Sequence, residues 1–390
     1  MRQPLFCLLA YLVLMSKEIY PKYDIVVIGL GAVGSATLFK LSKSGKRVLG
    51  IDRFEPPHTM GSSHGESRIT RLAVGEGEDY VALAKRSHQI WKEIEAETGV
   101  QIMTTTSGVL LDSGMQPWGK HGSEGFWQRT VSFAKSQEVK HEILDSNSFR
   151  ARFPAFNLEP TGHAYLEFDA GYLRPELAIQ TQLELAGKNG AELWFNSPVE
   201  ELSKSGKDVL IRNEKGEILA KKVLISAGGW IKDFLPDSEK PRFQICRQVL
   251  HWLEIENGAI DWTKYPVWMW GFGANPEDFI YGFPSLDGKT VKIGSESFID
   301  DEHPDFLNRI VSAEEQDLFW KEKVNGKILG LKPNVVQSVV CFYTVTKDAR
   351  FVIEPLDGMP NVMIVSACSG HGFKHSAALG EQLAKMLTEE

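Results

Sequence analysis

The residues best suited to chemistry lie in one polar loop, which spans residues 53–71 and reads RFEPPHTMGSSHGESRITR. Its prolines, glycines and small polar residues predict an ordered loop without regular structure, and it contains His64, Arg68 and Arg71 close together. Guanidinium groups bind carboxylates through paired hydrogen bonds. If Ser67–Arg71 opens a helix, the two arginines share a face at i,i+3 spacing. The loop indicates either an anion-binding site or a solvated basic patch, and composition alone favours neither.

Three glycines upstream of this loop have the spacing of a nucleotide-binding turn. Gly29, Gly31 and Gly34 form a G-x-G-x-x-G pattern, and Asp52 follows at the distance, about 20 residues, that a ribose-binding acid requires. The first glycine permits a tight turn, the second a close approach of a pyrophosphate, and the third close packing of a helix on a strand. The pattern therefore predicts a dinucleotide-binding site.

The segments around these glycines supply the elements that such a site needs. Tyr23–Ile28 is a short apolar run, which is typical of a buried parallel strand. Ser35–Ser44 has helical periodicity and ends before Gly45, and Arg47–Ile51 predicts the next strand. A strand, a helix and a second strand in this order form the βαβ unit of a Rossmann-like domain.

Later segments extend this organisation. Ala191–Ala227 alternates apolar and polar residues and predicts a β-meander, and Val362–Ala367 predicts a strand followed by a glycine-containing loop and a helix. Trp252–Gly294 is rich in aromatic residues, which fits either the wall of a ligand cavity or an ordinary core. We predict an α/β protein, with a Rossmann-like dinucleotide domain and a second α+β substrate domain on a mixed or antiparallel sheet.

The predicted domains are discontinuous. We expect residues 23–85, 150–229 and 340–390 to form the dinucleotide domain and residues 86–149 and 230–339 to form the substrate domain. Residues 1–22 are a separate N-terminal segment, in which Leu5–Met15 is apolar but too short to cross a bilayer. No small-x-small cleavage site follows it, so we interpret Met15 as the true start and expect a cytoplasmic protein without stable membrane association.

The overall composition limits the partners. The 390-residue chain is 43% hydrophobic and 24% charged, as expected of a soluble globular protein, and its formal net charge is -8. It has no basic block that would neutralise phosphates, which argues against a nucleic-acid partner. The cysteines fit neither a metal motif nor a disulfide framework, so we expect no metal and a reducing compartment. They are Cys7, Cys246, Cys341 and Cys368.

Four stretches, in the same order along the chain, resemble those of one enzyme family. They are PPHTMGSSHGESRITR in the polar loop, YGFPSLDGKTVKIG at Tyr281–Gly294, VVCFYT at Val339–Thr344 and SGHGFK at Ser369–Lys374. The chain resembles the group of monomeric sarcosine oxidase, N-methyltryptophan oxidase and pipecolate oxidase, within the D-amino-acid-oxidase superfamily of flavoenzymes. The resemblance extends from about Tyr23 to about Lys385.

The resemblance implies FAD as the cofactor. Cys341, in its C-x-Y-T setting, corresponds to the residue whose sulfur is bonded to the C8 methyl carbon of the flavin, and His64 and Arg68 correspond to residues that contact the flavin. Attachment requires a thiolate beside an electrophilic ring. The residues expected to bind the cofactor are Gly29, Gly31, Gly34, Asp52, Ser62, Ser67, Val199, Cys341, Gly370 and Gly372.

The resemblance also implies a substrate site. Arg71 and Lys374 correspond to the clamp for the substrate carboxylate, and Tyr281 and Tyr343 to residues of the cavity wall. Lys292 corresponds to the lysine that activates oxygen, where a fixed cation beside the reduced flavin stabilises superoxide as the first electron is transferred. Without the matching motif upstream, VKIGS would indicate a lysine that points to water.

One position departs from the resemblance. Sarcosine and N-methyltryptophan oxidases resembling this chain carry a histidine four residues after the lysine, whereas this chain has Glu296. We expect its carboxylate to pair with Lys292, with Arg71 or with a cationic amine. Fructosyl amino acid oxidases of the same superfamily are similar in having glutamate at this offset, but they lack the HGESR-type loop.

The implied activity is oxidation of amino acids with a secondary amine, of the sarcosine or N-methyl amino acid type. It gives an imine that hydrolyses, while O2 is reduced to H2O2. The expected partners are this small substrate and O2, and the expected assembly is a monomer. Three alternatives remain open: a fructosyl amino acid oxidase, an NAD-dependent dehydrogenase, which the βαβ unit alone permits, and a flavin-dependent dehydrogenase with another electron acceptor.

Overall fold

The computed structural model describes residues 20–114, 118–258, 260–301 and 303–389. The apolar segment Leu5–Met15 lies outside these residues, and so does the interpretation of Met15 as the start. Within the described ranges, no helix combines the length and the apolar character that crossing a bilayer requires.

The described chain contains both helices and strands throughout its length. Its α-helices are α1 (Ala32–Ser42), α2 (Glu78–Thr98), α3 (Phe126–Ser136), α4 (Ser146–Arg152), α5 (Pro175–Lys188), α6 (Ala313–Phe319) and α7 (Ser376–Thr388). Its strands are β1 (Lys22–Ile28), β2 (Val48–Ile51), β3 (Arg68–Thr70), β4 (Met103–Thr105), β5 (Gly108–Asp112), β6 (His141–Asp145), β7 (His163–Glu167), β8 (Gly171–Leu173), β9 (Glu192–Trp194), β10 (Glu201–Ser205), β11 (Asp208–Asn213), β12 (Gly216–Ile225), β13 (Gln244–Ile255), β14 (Val267–Gly271), β15 (Phe279–Gly282), β16 (Thr290–Ser295), β17 (Leu331–Val345), β18 (Val352–Leu356) and β19 (Met359–Ser366).

The first sheet is built around the predicted βαβ unit. β1 pairs in parallel with β2 and with β12, so that Ile28 lies opposite both Ile51 and Ile225. β9 continues the parallel sheet beyond β2, and β19 pairs in parallel with the end of β12. The β10–β11 hairpin and β18 add antiparallel strands. The strands predicted from the apolar and alternating patterns are therefore present, and the prediction of an α/β protein is confirmed.

Both faces of β1 are buried, which explains its continuous apolar run. Ile25 and Val27 pack in one core with residues of α1, α2, α5 and α7. Val26 and Ile28 pack in a second core with residues of β2, β11 and β12. The parallel strands thus end at a common edge, where the loops that follow them can meet.

The second sheet has the strand order β17-β13-β16-β15-β14-β5-β7-β6. Its pairs are antiparallel except for β14 with β5, as predicted for a mixed or antiparallel sheet. The aromatic segment Trp252–Gly294 contributes both to a hydrophobic core and to the wall of a cavity, the two possibilities that its composition allowed. Trp268 and Trp270 are fully buried in a core, whereas Met269 and Tyr281 line a cavity on the other face of the sheet.

A third, small sheet overturns the prediction that residues 53–71 lack regular structure, and Ser67–Arg71 does not open the helix that the spacing of the arginines allowed. Arg68–Thr70 forms β3, which pairs with β8, and β4 pairs with the same strand. The β-branched residues Ile69 and Thr70 favour an extended backbone. The two arginines therefore do not share a helical face, and their relation is decided by the loop that encloses them.

The division of the chain into domains stays a prediction. Residues 150–229 contribute β7 to the second sheet and β9 to β12 to the first. Strand β17 belongs to the second sheet and runs across the expected boundary at residue 340.

Close packing of α1 on β1 leads to a testable prediction. A Cβ atom on Gly34 would lie 1.8 Å from the carbonyl oxygen of Gly29 and 2.7 Å from Ser226 Oγ. Gly34→Ala should therefore lower the free energy of unfolding by about 3 kcal/mol, because backbone atoms must move to admit the methyl group. Denaturant unfolding monitored by circular dichroism measures this change.

Gly187→Ala is the matched control, because Gly187 also lies in a helix, α5, and its added methyl group would meet only Leu193 Cδ1 at 3.7 Å. Alanine is a better helix former by about 1 kcal/mol, so this variant should be as stable as the parent or more stable. Equal stability of the two variants would contradict the packing argument.

Candidate active site

A cavity of about 630 Å³ lies between the first and second sheets. Gly29 and Asp52, which follow β1 and β2, line one part of it, and Tyr281 and Tyr343 of the second sheet line another. Sites for small molecules and cofactors typically enclose about 300–1,000 Å³. The cavity therefore joins the predicted nucleotide-binding turn to the predicted substrate residues.

The glycine turn leaves the N-terminus of α1 open towards this cavity. Gly29 has a φ of +86°, and a Cβ atom there would lie 2.6 Å from the carbonyl oxygen of Ser226. Helix α1 begins after Gly31 without a side-chain cap, so the N–H groups of its first turn have no side-chain acceptor. Such a helix N-terminus binds phosphate through its N–H groups and its dipole.

Asp52 lies at the end of β2, beside the same turn. Its carboxylate accepts hydrogen bonds from the backbone N–H groups of Leu30, at 2.7 Å, and Phe54, at 2.8 Å. These bonds fix the carboxylate between the glycine turn and the polar loop, where it lines the cavity. Its position fits hydrogen bonding to a ribose hydroxyl.

The polar loop is held in place by two side chains from other elements. Glu176, in the first turn of α5, accepts hydrogen bonds from the N–H groups of Gly65, at 2.6 Å, and Glu66, at 3.1 Å. Lys292 Nζ donates to the carbonyl oxygens of Gly65, at 2.7 Å, and Ser67, at 2.8 Å. An acid and a base thus bind the N–H and C=O groups of one turn, which fixes the start of β3.

Arg68 and His64 occupy opposite environments in this loop. Arg68 lines the cavity and donates to the carbonyl oxygens of Ser62, at 2.8 Å, and Ser67, at 2.9 Å. His64 is buried and does not line the cavity. Burial, followed by the charge of Arg68, lowers the pKa of His64 to about 4, so its imidazole is neutral near pH 7.

Lys292 is enclosed rather than exposed to the cavity. Its ammonium group lies 3.9 Å from the centroid of the Phe283 ring, and the residue is 3% exposed. Burial, followed by the nearby charge of Arg68, holds the pKa of Lys292 well below its usual value. Lys292 does not line the cavity, but Phe283, Arg68 and Cys341, which surround it, do.

A buried cluster of charges closes the part of the cavity where the sequence predicts the substrate residues. Arg71 Nη2 lies 3.0 Å from Glu76 Oε2, and Arg71 also donates to the carbonyl oxygen of Ala73. Lys374 Nζ lies 4.0 Å from Glu76 Oε1 and donates to the carbonyl oxygen of His371 at 2.8 Å. The two residues of the expected carboxylate clamp are therefore brought together around one carboxylate.

Glu76 and Lys120 belong to this cluster, and no sequence motif pointed to either. Lys120 Nζ lies 4.0 Å from Glu76 Oε1 and 3.2 Å from Glu296 Oε1. Burial alone would raise the pKa of Glu76, but Arg71, followed by Lys374, holds that pKa well below its usual value. The one signal in the sequence that could have indicated Glu76 is its position five residues after Arg71. Lys120 lies far from every motif, so the sequence contained no signal for it.

The partner of Glu296 is neither of the two side chains that we expected. Its carboxylate forms an ion pair with Lys120, not with Lys292 or Arg71. Lys292 is bound instead to the polar loop, and Arg71 is bound to Glu76. Burial raises the pKa of Glu296, against the opposing effect of Lys120.

Cys341, Tyr281 and Tyr343 form the wall on the side of the second sheet. Cys341 lies in β17, opposite Gln248 of β13, and it is 3% exposed while lining the cavity. Burial raises the pKa of the Cys341 thiol, although Arg68 opposes this effect. Burial raises the pKa of Tyr343 and of Tyr281, which are hydrogen-bonded to each other.

Most of the residues predicted from the sequence line one cavity. Gly34, His64, Ser67 and Lys292 do not line it. The predicted residues that line it are Gly29, Gly31, Asp52, Ser62, Arg68, Arg71, Val199, Tyr281, Glu296, Cys341, Tyr343, Gly370, Gly372 and Lys374.

These residues fit FAD. The glycine turn and the uncapped α1 N-terminus suit a pyrophosphate, and Asp52 suits a ribose. At the other end, Gly370 has a φ of +76°, and a Cβ atom there would lie 2.8 Å from the Tyr343 ring. A side chain on Gly370 would therefore clash with the cavity wall, and its absence leaves space between the two sheets for a flat ring system.

Comparisons with known proteins agree with this fit. A family model described as FAD dependent oxidoreductase matches residues 24–386. The chain is 35% identical over 371 residues to monomeric sarcosine oxidase of Bacillus sp. (strain NS-129), covering 94% of this chain and 93% of the relative. It is 32% identical over 366 residues to N-methyl-L-tryptophan oxidase of Shigella sonnei (strain Ss046), covering 92% and 93%.

A solved structure shares the fold at lower sequence identity. NikD, described as an unusual amino acid oxidase essential for nikkomycin biosynthesis, superimposes in its open form with a TM-score of 0.79 and 20% identity, covering 95% of this chain and 94% of that one. The family match spans nearly the whole described chain. The chain therefore belongs to the family of FAD-dependent oxidoreductases.

Proposed function

We propose that this enzyme is an oxidase of amino acids with a secondary amine, of the sarcosine or N-methyl amino acid type. The observation that carries the proposal is the pair of buried cations, Arg71 and Lys374, which meet at the cavity wall. The relatives that cover most of the chain are named for N-methylated amino acids, which supports this substrate class.

The charges of the cluster favour a substrate with one carboxylate. Arg71, Lys120 and Lys374 are cationic side chains, and Glu76 and Glu296 are the carboxylates that pair with them. With all five ionised, the cluster has one excess positive charge. A buried charge without a partner is costly, so an anionic group of the substrate is stabilised there.

The remaining wall accommodates an uncharged amine. Tyr281, Phe279 and Met269 line the cavity with apolar or neutral groups, and they exclude water from the reacting carbon. FAD, when bound, supplies the acceptor for a hydride equivalent and passes the electrons to O2. The substrate must lose its ammonium proton before it donates hydride, so the neutral form of the amine is the reactive one.

We propose that Lys292 serves the reaction with O2 from behind the cavity wall. Its amino group donates to the carbonyl oxygens of Gly65 and Ser67, which favour the protonated form against the effect of burial, and it lies against the ring of Phe283. A preorganised positive charge stabilises developing negative charge on oxygen. The same hydrogen bonds hold the polar loop, so Lys292 also positions Arg68.

Glu296 supports a second candidate function, that of a fructosyl amino acid oxidase. Its carboxylate lines the cavity, where it could accept hydrogen bonds from a polyol. The HGESR loop and the names of these relatives favour the N-methyl amino acid class instead.

We also propose a monomer, in keeping with the name of the sarcosine oxidase relative.

A peroxidase-coupled assay tests the proposed substrate class. The purified protein should produce H2O2 from sarcosine, N-methyltryptophan, pipecolate or proline, with one H2O2 formed for each substrate oxidised. Peroxide from fructosyl-glycine alone would assign the second candidate. Reduction of the flavin by an N-methyl amino acid without formation of peroxide would indicate a dehydrogenase with another electron acceptor.

We further propose that FAD is attached covalently through Cys341, and a cysteine substitution tests this attachment. Wild-type protein unfolded in acid should keep its flavin, and its intact mass should be raised by one FAD. Cys341→Ser should release all flavin under the same conditions. Cys368→Ser is the matched control, because Cys368 also lines the cavity, and it should keep the attachment. Release of flavin from the wild type would refute the proposal.

The pKa of Lys374 leads to a prediction about pH. Burial, opposed by Glu76, lowers the pKa of Lys374 to about 7. Below this value the ammonium group is charged and binds a carboxylate, and above it binding must first restore the proton. The Kd of butyrate, a carboxylate without an amine, should therefore be nearly constant between about pH 5.5 and 6.5, where butyrate is ionised and Lys374 is charged. It should rise above about pH 7, approaching tenfold per pH unit above about pH 8.

Perturbation of the flavin absorbance spectrum measures this Kd. Lys374→Arg is the control, since a guanidinium group stays charged over the whole range and its Kd should not follow the same pH dependence. A Kd of the wild type that is unchanged between about pH 6 and 9 would show that Lys374 does not bind the carboxylate.

A further inference from the structure

In the N-methyl amino acid oxidase proposed above, Lys120 and Glu296 add to the charge of the cluster but have no assigned contact with the substrate. Lys120 is 6% exposed and lies in a short turn, where it bridges to Ser123. Glu296 follows β16 and is 5% exposed. Both side chains line the cavity, so the ion pair between them forms part of the wall that a substrate meets.

This ion pair is unfavourable as a purely structural element. Removing two charges from water costs more than their attraction returns unless their remaining hydrogen-bonding capacity is used. Glu296 Oε2 is buried and has no hydrogen-bond partner within the described part of the chain. A buried acceptor left unpaired costs about 1–3 kcal/mol, and a donor supplied by a ligand would remove this cost.

The surroundings of Glu296 restrict which ligand group reaches it. A Cβ atom on Gly370 would lie 3.1 Å from Glu296 Oε1 and 2.8 Å from the Tyr343 ring, so the carboxylate adjoins the wall formed by these residues. The carboxylate is also linked through Lys120 to Glu76, which binds Arg71 and Lys374. A substrate whose carboxylate is held by Arg71 and Lys374 therefore presents its side chain to the same cluster.

We propose that Lys120 and Glu296 form the side-chain subsite of the enzyme, and that this subsite selects substrates whose side chain carries an uncharged hydrogen-bond donor such as a hydroxyl group. The proposal rests on the proposed function for the position of the substrate carboxylate. Lys120 is a positioning residue, because it holds Glu296 Oε1 and leaves Oε2 for the ligand. An apolar side chain would leave Oε2 desolvated and unpaired.

Charge excludes the two nearest alternatives. A second carboxylate on the side chain would meet Glu296 and Glu76, both negatively charged, while Lys120 is already paired. A side-chain ammonium group would restore the excess positive charge that the substrate carboxylate neutralises. A neutral donor satisfies the free oxygen without changing the net charge of the cluster.

The test compares three substrates that differ only in the side chain: N-methylserine, N-methylalanine and N-methylaspartate. For the wild-type holoenzyme, kcat/KM for N-methylserine should exceed that for N-methylalanine about tenfold, as expected for one hydrogen bond to a charged acceptor. The difference should lie in KM, and in the Kd for anaerobic flavin reduction, rather than in the limiting rate. N-methylaspartate should be the poorest of the three.

The double variant Lys120→Met with Glu296→Met removes the subsite, because apolar residues of similar size often replace a buried ion pair without loss of stability. Its ratio of kcat/KM for N-methylserine to N-methylalanine should fall to about one. Glu296→Gln keeps the shape but lacks the charge, so this ratio should fall severalfold in a variant that folds even if the double variant does not. Glu124→Gln, an exposed substitution in the same turn, should keep the wild-type ratio.

The results distinguish failure of the proposed subsite from failure of the proposed function. Equal use of N-methylserine and N-methylalanine by the wild type, or a ratio unchanged in both Glu296 variants, would overturn the subsite. Preference for N-methylaspartate would overturn it too, since Lys120 would then bind a second carboxylate. If no N-methyl amino acid reduces the flavin at all, the proposed function fails and not merely the subsite.

Discussion

The substrate part of this enzyme depends on one buried carboxylate, that of Glu76. It lies within 4.0 Å of three cationic side chains, Arg71, Lys120 and Lys374, which come from distant parts of the chain. Without a central anion these cations would repel one another in a medium that screens them poorly. Their combined charge explains why Glu76 stays ionised although it is buried. The carboxylate clamp is therefore an arrangement of several elements rather than a property of one loop.

The cofactor part depends on a different constraint, the fixed geometry of a turn. Glu176 binds the N–H groups of Gly65 and Glu66, and Lys292 binds the carbonyl groups of Gly65 and Ser67. These bonds place Arg68 against the cavity and keep Lys292 behind its wall. Lys292 thus fixes the polar loop and also contributes to the electrostatic potential at the site expected for the flavin. Loss of Lys292 would disturb both, which makes a single role difficult to isolate by removing it.

Glu296, the position at which the sequence departs from the resemblance, has a charge partner in the structure. Glu296 lies where sarcosine oxidases carry histidine according to the resemblance, and Lys120 pairs with it at 3.2 Å. A carboxylate at this point would otherwise be buried beside Glu76 without compensation. The partner comes from a turn that precedes α3, more than a hundred residues away in sequence. The buried carboxylate of Glu296 is therefore compensated by a contact that no local motif contains.

By itself the sequence predicted the βαβ unit and the dinucleotide turn, because these depend on local periodicity and on glycines at fixed spacing. Most of the other predicted residues that line the cavity came from the resemblance to a family. The sequence also determined the family, through motifs whose order along the chain is preserved. The prediction of a loop without regular structure failed at Arg68–Thr70, where the chain pairs with β8. The charge partners were decided only by the tertiary structure. Glu76, Lys120 and Glu296 meet because separate elements pack around one cavity, and the pairing of buried charges depends on distances in space that spacing along the chain does not fix.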